Sequence, residues 1–272
     1  MPYIKETCVA GDTIEVCKYY TYRVNVKGEK RAKKEKQTSE AQKKVNQRKA
    51  EKELRRLMAA NYKNGDVVVR LDFFRRPGGS EEMQPLIEKA IRKLRSAYRR
   101  AGKQLKYIYV KEVGPRGSRH IHMILNREEM DVLSLLAKCW PHGGIHVDPW
   151  TTGPNFQKLA AYFIKYALKT EETEGKLIGK RWYPSRNLKK PSVRKEVIRS
   201  NRFREQVAEK EGYTLEKDSV HSGVYRIQVF LIHTHQGGER INGQGQHLHI
   251  HNGQRTGNKV RELHLPAGIY HR

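Results

Sequence analysis

Two histidines separated by one residue, His120 and His122, form a pair that could bind a metal ion. They flank Ile121 in RHIHMILN, a run that predicts a β-strand. Side chains alternate between the two faces of a strand, so both imidazoles are predicted to lie on one face. Two neutral imidazoles at this spacing can bind one divalent cation, although such a pair, taken alone, is more often an ordinary feature of a strand.

A third ligand is expected from the strand that precedes the histidines. LKYIYVKE predicts a strand that ends at Glu112, and the loop Val113 to Ser118 joins it to the histidine strand. In a symmetric hairpin Glu112 lies opposite Arg119 or His120, and directly opposed residues share a face. A shift of one residue would move the carboxylate to the other face, so the sequence leaves both arrangements open.

The segment FQKLAAYFIKYALK, residues 156–169, predicts a helix with two chemically different faces. Its apolar residues form one stripe, whereas Tyr162, Lys165, Tyr166 and Lys169 recur at helical spacing on another face. Two tyrosines and two lysines are therefore predicted to lie together, away from the apolar stripe. The alternative interpretation is that both tyrosines are ordinary packing aromatics.

These motifs, taken in this order, resemble the HUH nickase superfamily. YIYVKEVGPRGSRHIHMIL, followed further along the chain by YFIKYALK, is similar to the rolling-circle Rep proteins of plasmids and phages. The doubled tyrosine is similar to the initiators of isometric single-stranded DNA phages. RWYPSRNLKKP, just after the tyrosine helix, resembles a segment of initiators from Gram-positive bacteria. The resemblance covers about residues 65–190.

The resemblance implies a metal-dependent DNA endonuclease that initiates rolling-circle replication. Mg²⁺ or Mn²⁺ would be held by Glu112, His120 and His122 and would polarise the scissile phosphate. The implied partner is DNA, as a single-stranded or hairpin origin that becomes covalently attached to the protein through its 5′ end. A host helicase is a further partner that this activity implies.

The tyrosine helix would supply the nucleophile. Tyr162 or Tyr166 would attack the phosphate and leave a 5′-phosphotyrosine and a free 3′-OH, with Lys165 and Lys169 as the accompanying catalytic lysines. The pKa of an ordinary tyrosine is about 10, so its hydroxyl must be activated, and Lys165 or the metal could do so. A second tyrosine one helical turn away could carry out the next strand transfer.

Three other functions are consistent with parts of the pattern. HUH transposases keep the present motif order but are typically shorter and have one tyrosine. Conjugative relaxases usually place the tyrosine before the histidines. A non-catalytic nucleic-acid-binding protein with an RRM-like sheet would instead use Tyr107 and Tyr109 to stack bases.

The elements around these motifs predict an α+β fold. The predicted strands are 66–74, 105–112, 119–126 and 144–148, and the predicted helices between them are 80–101 and 128–139. The order β-α-β-β-α-β predicts an antiparallel sheet with helices on one face, a ferredoxin-like or RRM-like core, followed by the tyrosine helix. The resemblance described above implies that residues 65–190 form the endonuclease domain.

An N-terminal arm is predicted over residues 1–64. It combines a short β-like segment, Cys17 to Val26, with a basic helix, Ser39 to Ala60, whose apolar face is thin. We interpret this helix as solvated, with contact to DNA or to another subunit as the functional alternative.

A C-terminal extension is predicted over residues 191–272, with a helix around Val193 to Lys210. Residues 219–272 contain eight of the twelve histidines among many Gly, Gln and Asn, and they predict little packed structure. The His-x-His patterns in HTHQGGER and GQHLHIHNGQ are spaced like metal sites. Their polar surroundings offer few residues to support a ligand, so we expect exposed histidines there.

Composition narrows the class of partner and the compartment. The formal charge is +26, and the basic excess lies in three blocks, Lys27 to Lys63, Lys89 to Arg119 and Lys176 to Arg204. Clustered positive charge predicts a polyanion partner such as DNA. The three cysteines form neither a disulfide framework nor a zinc pattern, and no long apolar run is present, so a cytoplasmic protein that does not enter a membrane is expected.

Overall fold

The computed structural model describes most of the chain up to residue 233. The described residues are 3–20, 38–75, 77–114, 117–147, 156–174, 180–200, 202–204, 206–208, 210–216, 220–223 and 226–233. The chain divides into two units, Met1–Thr234 and His235–Arg272. All described elements belong to the first unit, and none of its described helices is long and apolar enough to cross a membrane.

The described part of the chain contains four helices and eleven strands, in mixed order. They are β1 (Tyr3–Ala10), β2 (Thr13–Tyr20), α1 (Glu40–Ala59), β3 (Val67–Asp72), α2 (Ser80–Arg100), β4 (Tyr107–Val113), β5 (Arg119–Leu125), α3 (Val132–Cys139), β6 (Ile145–Val147), α4 (Gln157–Glu174), β7 (Tyr183–Pro184), β8 (Ser192–Ile198), β9 (Tyr213–Leu215), β10 (His221–Gly223) and β11 (Arg226–His233).

The predicted histidine strand, β5, lies in the middle of a five-stranded antiparallel sheet with the order β6-β3-β5-β4-β7. The chain runs β3-α2-β4-β5-α3-β6 through this sheet, which is the β-α-β-β-α-β order of a ferredoxin-like fold. The α+β class and the antiparallel sheet predicted from the sequence are therefore confirmed.

Helices cover both faces of this sheet, whereas the sequence analysis predicts them on one face. Leu71 and Ile121 lie on the face that packs against α2 and α3. Val68, Ile108 and Ile124 lie on the opposite face, which packs against α1 and α4. Both sets of alternating positions are apolar, so each face must be buried, and α1 and α4 bury the second one.

A second antiparallel sheet joins the two ends of the described chain, with the order β10-β11-β2-β1-β8 and β9 beside β11. Strands β1 and β2 form a hairpin, of which the sequence analysis predicts only Cys17 to Val26; β2 includes the start of that range, and residues 21–26 lie outside the described part. Both ends of the chain thus contribute strands outside the predicted 65–190 domain, whose boundaries stay a prediction.

Two predictions for the C-terminal extension are wrong. The predicted helix from Val193 to Lys210 begins instead as β8, which pairs with β1 from Ser192 to Ile198. Strand β11 lies between β2 and β10, and its Val229, Phe230 and Leu231 are buried rather than part of an unpacked tail. Pairing with a distant strand supplied the hydrogen bonds in both cases, and no local pattern reveals such a partner.

Helix α1 is more than a solvated arm. It begins after Ser39, whose hydroxyl accepts a hydrogen bond from the Gln42 amide, as the Ser start predicts. Arg56 is buried and donates to Glu6 at 2.6 Å and to Glu15 at 2.5 Å, two acids of the β1–β2 hairpin. These ion pairs attach the helix to the second sheet.

The electrostatics of this cluster favour the ionised acids. Burial alone would raise the pKa of Glu6, but hydrogen bonds from Lys52 and Arg56 outweigh it and lower the pKa to about 2. The pKa of Glu15 is also lowered, because Arg55 and Arg56 outweigh its burial. Both carboxylates therefore need their basic partners in order to remain buried.

Replacing Arg56 by Ala should destabilise the protein strongly. The change removes a cation that both buried carboxylates share, and breaking such a pair costs about 3–5 kcal/mol of the free energy of unfolding. Urea denaturation followed by circular dichroism measures this difference. The control is Lys43→Ala, which removes an exposed ion pair with Glu40 on the same helix and should cost less than about 1 kcal/mol. Equal effects of the two changes would contradict this role of Arg56.

Candidate active site

The hairpin of β4 and β5 places three predicted metal ligands together. Glu112 lies directly opposite His120 in the register of the two strands, so the symmetric arrangement, one of the two left open by the sequence, is the one observed. Directly opposed residues share a face, and His122 follows two residues later on the same face. The loop between the strands closes with the Gly114 amide donating to the Ser118 carbonyl at 2.6 Å.

The three side chains converge on a single point. Glu112 Oε2 lies 2.9 Å from His120 Nε2 and 2.8 Å from His122 Nε2. One ligand atom from each residue lies within 4.8 Å of the others, so one cation could contact all three. Glu112 and His122 are buried and His120 is partly buried, so the cluster is open to solvent on the His120 side.

A lysine from α4 completes the surroundings of the carboxylate. Lys169 Nζ donates to Glu112 Oε1 at 3.0 Å, so each carboxylate oxygen has its own basic partner. Burial alone would raise the pKa of Glu112, but hydrogen bonds from His120, His122 and Lys169 outweigh it and place the pKa well below its ordinary range. The carboxylate is thus ionised and suited to bind a cation.

Both tyrosines of α4 lie against His122. Tyr162 Oη is 3.4 Å from His122 Nδ1, and the Tyr166 ring stacks on the imidazole with centroids 4.6 Å apart. The two tyrosine rings are themselves in edge contact at 4.4 Å. Of the two lysines on this helix, Lys169 reaches the cluster, whereas Lys165 is exposed. Three of the four residues of the predicted tyrosine face therefore contact the β4–β5 hairpin.

Thr170, which the sequence analysis missed, fixes α4 against β4. Its buried hydroxyl accepts a hydrogen bond from the Val113 amide at 3.1 Å and lies 3.2 Å from the Lys111 carbonyl. Lys111 and Val113 precede and follow Glu112 in the chain. Their hydrogen bonds to Thr170 therefore hold the C-terminal part of α4 against Glu112. A threonine directly after the second YxxK repeat is the only sequence signal for it.

A further acid and base lie on the same face of the sheet. Asp72 of β3 is directly opposite His120, and Arg70 is directly opposite His122. Asp72 Oδ1 accepts from Arg70 Nε at 3.1 Å, and Asp72 Oδ2 lies 2.8 Å from His146 Nε2. Charged residues at alternate positions of the otherwise apolar strand VVVRLD were the signal that the sequence analysis did not use.

The aromatic residues proposed for an RRM-like binding surface are not available to a base. Tyr109 is buried on the α2 face, where its ring stacks on Tyr183 with centroids 4.7 Å apart and its hydroxyl lies 3.4 Å from Gln84. Tyr107 is partly buried beside it. Because base stacking requires an open aromatic face, this sheet cannot bind RNA in the manner of an RRM.

The tail histidines can be placed only in part. His233 belongs to β11, and its ring contacts Tyr213 at a centroid distance of 5.0 Å. His235, His247, His249 and His251 lie outside the described residues. Among the described residues, the cluster of Glu112, His120 and His122 is the one that could hold a metal.

Residues 74–171 match the family of the replication-associated protein ORF2/G2P. This stretch contains the carboxylate-histidine cluster and the whole tyrosine face of α4. The match supports a rolling-circle replication initiator. It covers less than half of the chain, and no curated protein and no solved structure matches the sequence.

The donor set suits a divalent cation. Two imidazole nitrogens and a carboxylate oxygen bind ions from Mg²⁺ and Mn²⁺ to Zn²⁺, so the ligands alone do not select one metal. Three protein ligands leave coordination positions for water or a phosphate oxygen. Tyr162 beside the outer nitrogen of His122 and Lys169 beside Glu112 are the kind of support that orients ligands in metal sites.

Titration with Mn²⁺ should reveal a site that depends on both histidines. We expect His122→Ala to weaken binding more than about tenfold, because losing even a supporting residue typically costs ten- to a hundredfold. Isothermal titration calorimetry measures this, and the double variant His120→Ala/His122→Ala gives the background from the tail. The control His146→Ala removes an exposed histidine from the same sheet face. Unchanged binding by His122→Ala would refute the site.

Proposed function

We propose that this chain is a metal-dependent tyrosine endonuclease that nicks one DNA strand and initiates rolling-circle replication. The observation that carries the proposal is the contact of Tyr162 and Tyr166 with His122, within a carboxylate-histidine cluster that could hold a cation. The family match adds support, because it covers these residues and describes replication-associated proteins. The predicted 65–190 domain would form the catalytic part.

In this proposal Glu112, His120 and His122 hold Mg²⁺ or Mn²⁺. The bound cation would polarise the scissile phosphate and stabilise the negative charge that develops on it. Lys169 keeps the Glu112 carboxylate in place through its second oxygen. Its ammonium group also adds positive charge beside the position that a DNA phosphate would occupy.

His122 would also activate the nucleophile. A neutral imidazole that ligates through Nε2 has its proton on Nδ1, and Nδ1 lies 3.4 Å from the Tyr162 hydroxyl oxygen. Such an N–H donates to the phenolic oxygen and favours its deprotonated form. Tyr162 would lose its proton to solvent and form the oxygen–phosphorus bond, while the bond to the 3′ oxygen breaks and that oxygen takes up a proton.

Tyr166 would serve a later strand transfer. Its ring contacts both His122 and the Tyr162 ring, so both tyrosines lie beside one candidate metal position. They are separated by one helical turn of about 5.4 Å, so a single phosphate cannot be equally in line with both. One tyrosine should therefore dominate the first cleavage, and the contact with His122 Nδ1 favours Tyr162. Lys165, exposed on the same helix, would contact the DNA backbone.

The partner in this proposal is DNA with a single-stranded or hairpin origin, in agreement with the net charge of +26. A nick produces a free 3′-OH for a polymerase, and extension from it requires unwinding of the duplex ahead. A host helicase would supply that unwinding.

Removing either histidine ligand should abolish nicking without abolishing DNA binding. His120→Ala and His122→Ala remove the metal, whereas the basic surface that contacts phosphates remains. Gel assays for cleavage of a single-stranded origin oligonucleotide, with Mn²⁺ or with EDTA, measure the first effect, and fluorescence anisotropy on duplex DNA measures the second. Substantial nicking by both variants would contradict the metal assignment.

The tyrosine pair should divide the reaction between its members. Tyr162→Phe should remove most of the covalent adduct formed on a single-site oligonucleotide, because the attacking oxygen is gone. Tyr166→Phe should nick nearly normally but fail to close circles. Mass spectrometry of the trapped phosphopeptide identifies the attached residue, and Tyr213→Phe in β9 is the control. Attachment mainly at Tyr166 would reverse the roles, and attachment at neither would refute the nickase mechanism.

A further inference from the structure

A groove lies between α1 and the segment that follows the tyrosine helix. Its volume is about 640 Å³, and it is lined by Lys49 and Glu53 of α1 and by Lys180, Arg181 and Trp182 of the segment ahead of β7. The RWYP motif singled out in the sequence thus forms one wall. None of these residues belongs to the carboxylate-histidine cluster or to the tyrosine face.

We propose that this groove binds a single strand of DNA, with Trp182 stacking on a base and the three basic side chains contacting phosphates. The proposal rests on the proposed function, because it takes DNA as the polymer that reaches the groove. The groove would be an additional binding site for a nucleotide that flanks the scissile phosphate. The proposed reaction at the catalytic residues does not require this site.

Trp182 is held in a position suited to stacking. Its neighbour Tyr183 is turned to the α2 face of the sheet, where it stacks on Tyr109 with centroids 4.7 Å apart and planes inclined by 6°. Trp182 packs against the apolar cluster beneath α1 and α4, on the other face, and is only partly buried. One part of the indole is therefore anchored while another part lines the groove. Aromatic side chains presented in this way bind unpaired bases of any sequence.

The charges of the groove favour phosphate. Lys49 and Lys180 are exposed, and Arg181 is paired with Glu171 at 3.5 Å in a partly exposed position. Such a surface pair contributes little free energy, so Arg181 can exchange the carboxylate for a phosphate at small cost. Among the described residues that line the groove, three cations face the single carboxylate of Glu53.

The groove is close to the candidate active site. Tyr183 pairs with Tyr109 of β4 in antiparallel register, so the chain enters this pair from the side of β4 on which Glu112 lies. Glu112 is the third residue of β4 after Tyr109, about 10 Å further along the strand. Glu171, the partner of Arg181, follows Lys169 by two residues. A strand bound with its scissile phosphate at the cluster could therefore continue into the groove.

Stacking also indicates which form of DNA the groove should select. In a duplex both faces of each base are already occupied by neighbouring base pairs, and Trp182 could not insert without unstacking them. A single strand offers open base faces and a flexible backbone. The groove is therefore expected to prefer single-stranded over double-stranded DNA.

The test is fluorescence anisotropy of the full chain with a labelled thymidine oligonucleotide, in EDTA so that no cleavage occurs. Trp182→Ala should weaken binding about tenfold with an unchanged salt dependence, because the stacked base is lost while the phosphate contacts remain. Trp182→Phe should restore most of the affinity. Lys49→Gln/Lys180→Gln should instead reduce the salt slope by about 0.7 for each phosphate that the protein no longer neutralises.

The matched control is Lys89→Gln/Lys93→Gln, which removes two exposed charges from α2 on the opposite face of the sheet. An oligonucleotide with 5-iodo-2′-deoxyuridine should crosslink to Trp182 under ultraviolet light.

The proposal for the groove would be refuted if Trp182→Ala bound DNA with the affinity of the wild type, or if the two lysine double variants weakened binding equally. Nicking by the wild-type protein is measured separately. If the wild type nicks DNA and Trp182→Ala binds the oligonucleotide as tightly as the wild type, only the proposal for the groove is refuted. If the groove binds DNA but the wild type does not nick it, only the proposed function is refuted.

Discussion

A buried carboxylate, Glu112, organises the central part of this protein. Its two oxygens contact His120 and His122 on one side and Lys169 on the other. An ionised group can stay away from water only if such partners compensate its charge. The hairpin and α4 must therefore meet at this point, and Thr170 reinforces the contact through the backbone on either side of Glu112. The same interaction creates a place for a cation and brings the tyrosines to it.

The attachment of α1 to the second sheet also depends on buried carboxylates whose charge is compensated by basic partners. Glu6 and Glu15 are buried, and Arg56 links them to the helix. Part of the basic excess of the N-terminal block thus stabilises the fold instead of contacting DNA. The exposed Lys49 lies on the same helix and remains available to a phosphate. The net charge does not distinguish basic residues that stabilise the fold from basic residues that are available to a phosphate, because the difference depends on which side chains are buried by tertiary contacts.

The two ring nitrogens of His122 face different partners, so one imidazole could fill two roles. Its Nε2 faces Glu112, where a cation would bind, and its Nδ1 faces the Tyr162 hydroxyl. In the proposed mechanism this one ring would act both as a metal ligand and as the donor that activates Tyr162, and Tyr166 is stacked on it. Such an arrangement would hold the proposed nucleophile at a fixed distance from the candidate metal site, which would favour reaction because less freedom is lost on binding.

The features that depend on local periodicity could be predicted from the amino-acid sequence. Alternation in β5 put His120 and His122 on one face, helical spacing grouped the α4 tyrosines, and the order of elements indicated the α+β sheet. What those faces contact depends on the tertiary fold. It selected the register that brings Glu112 opposite His120, and it paired β8 with β1 where a helix is predicted. It also brought α1 beside Trp182. Periodicity specifies which side of an element is presented, but partners distant in the chain are chosen by burial and charge compensation summed over the whole fold.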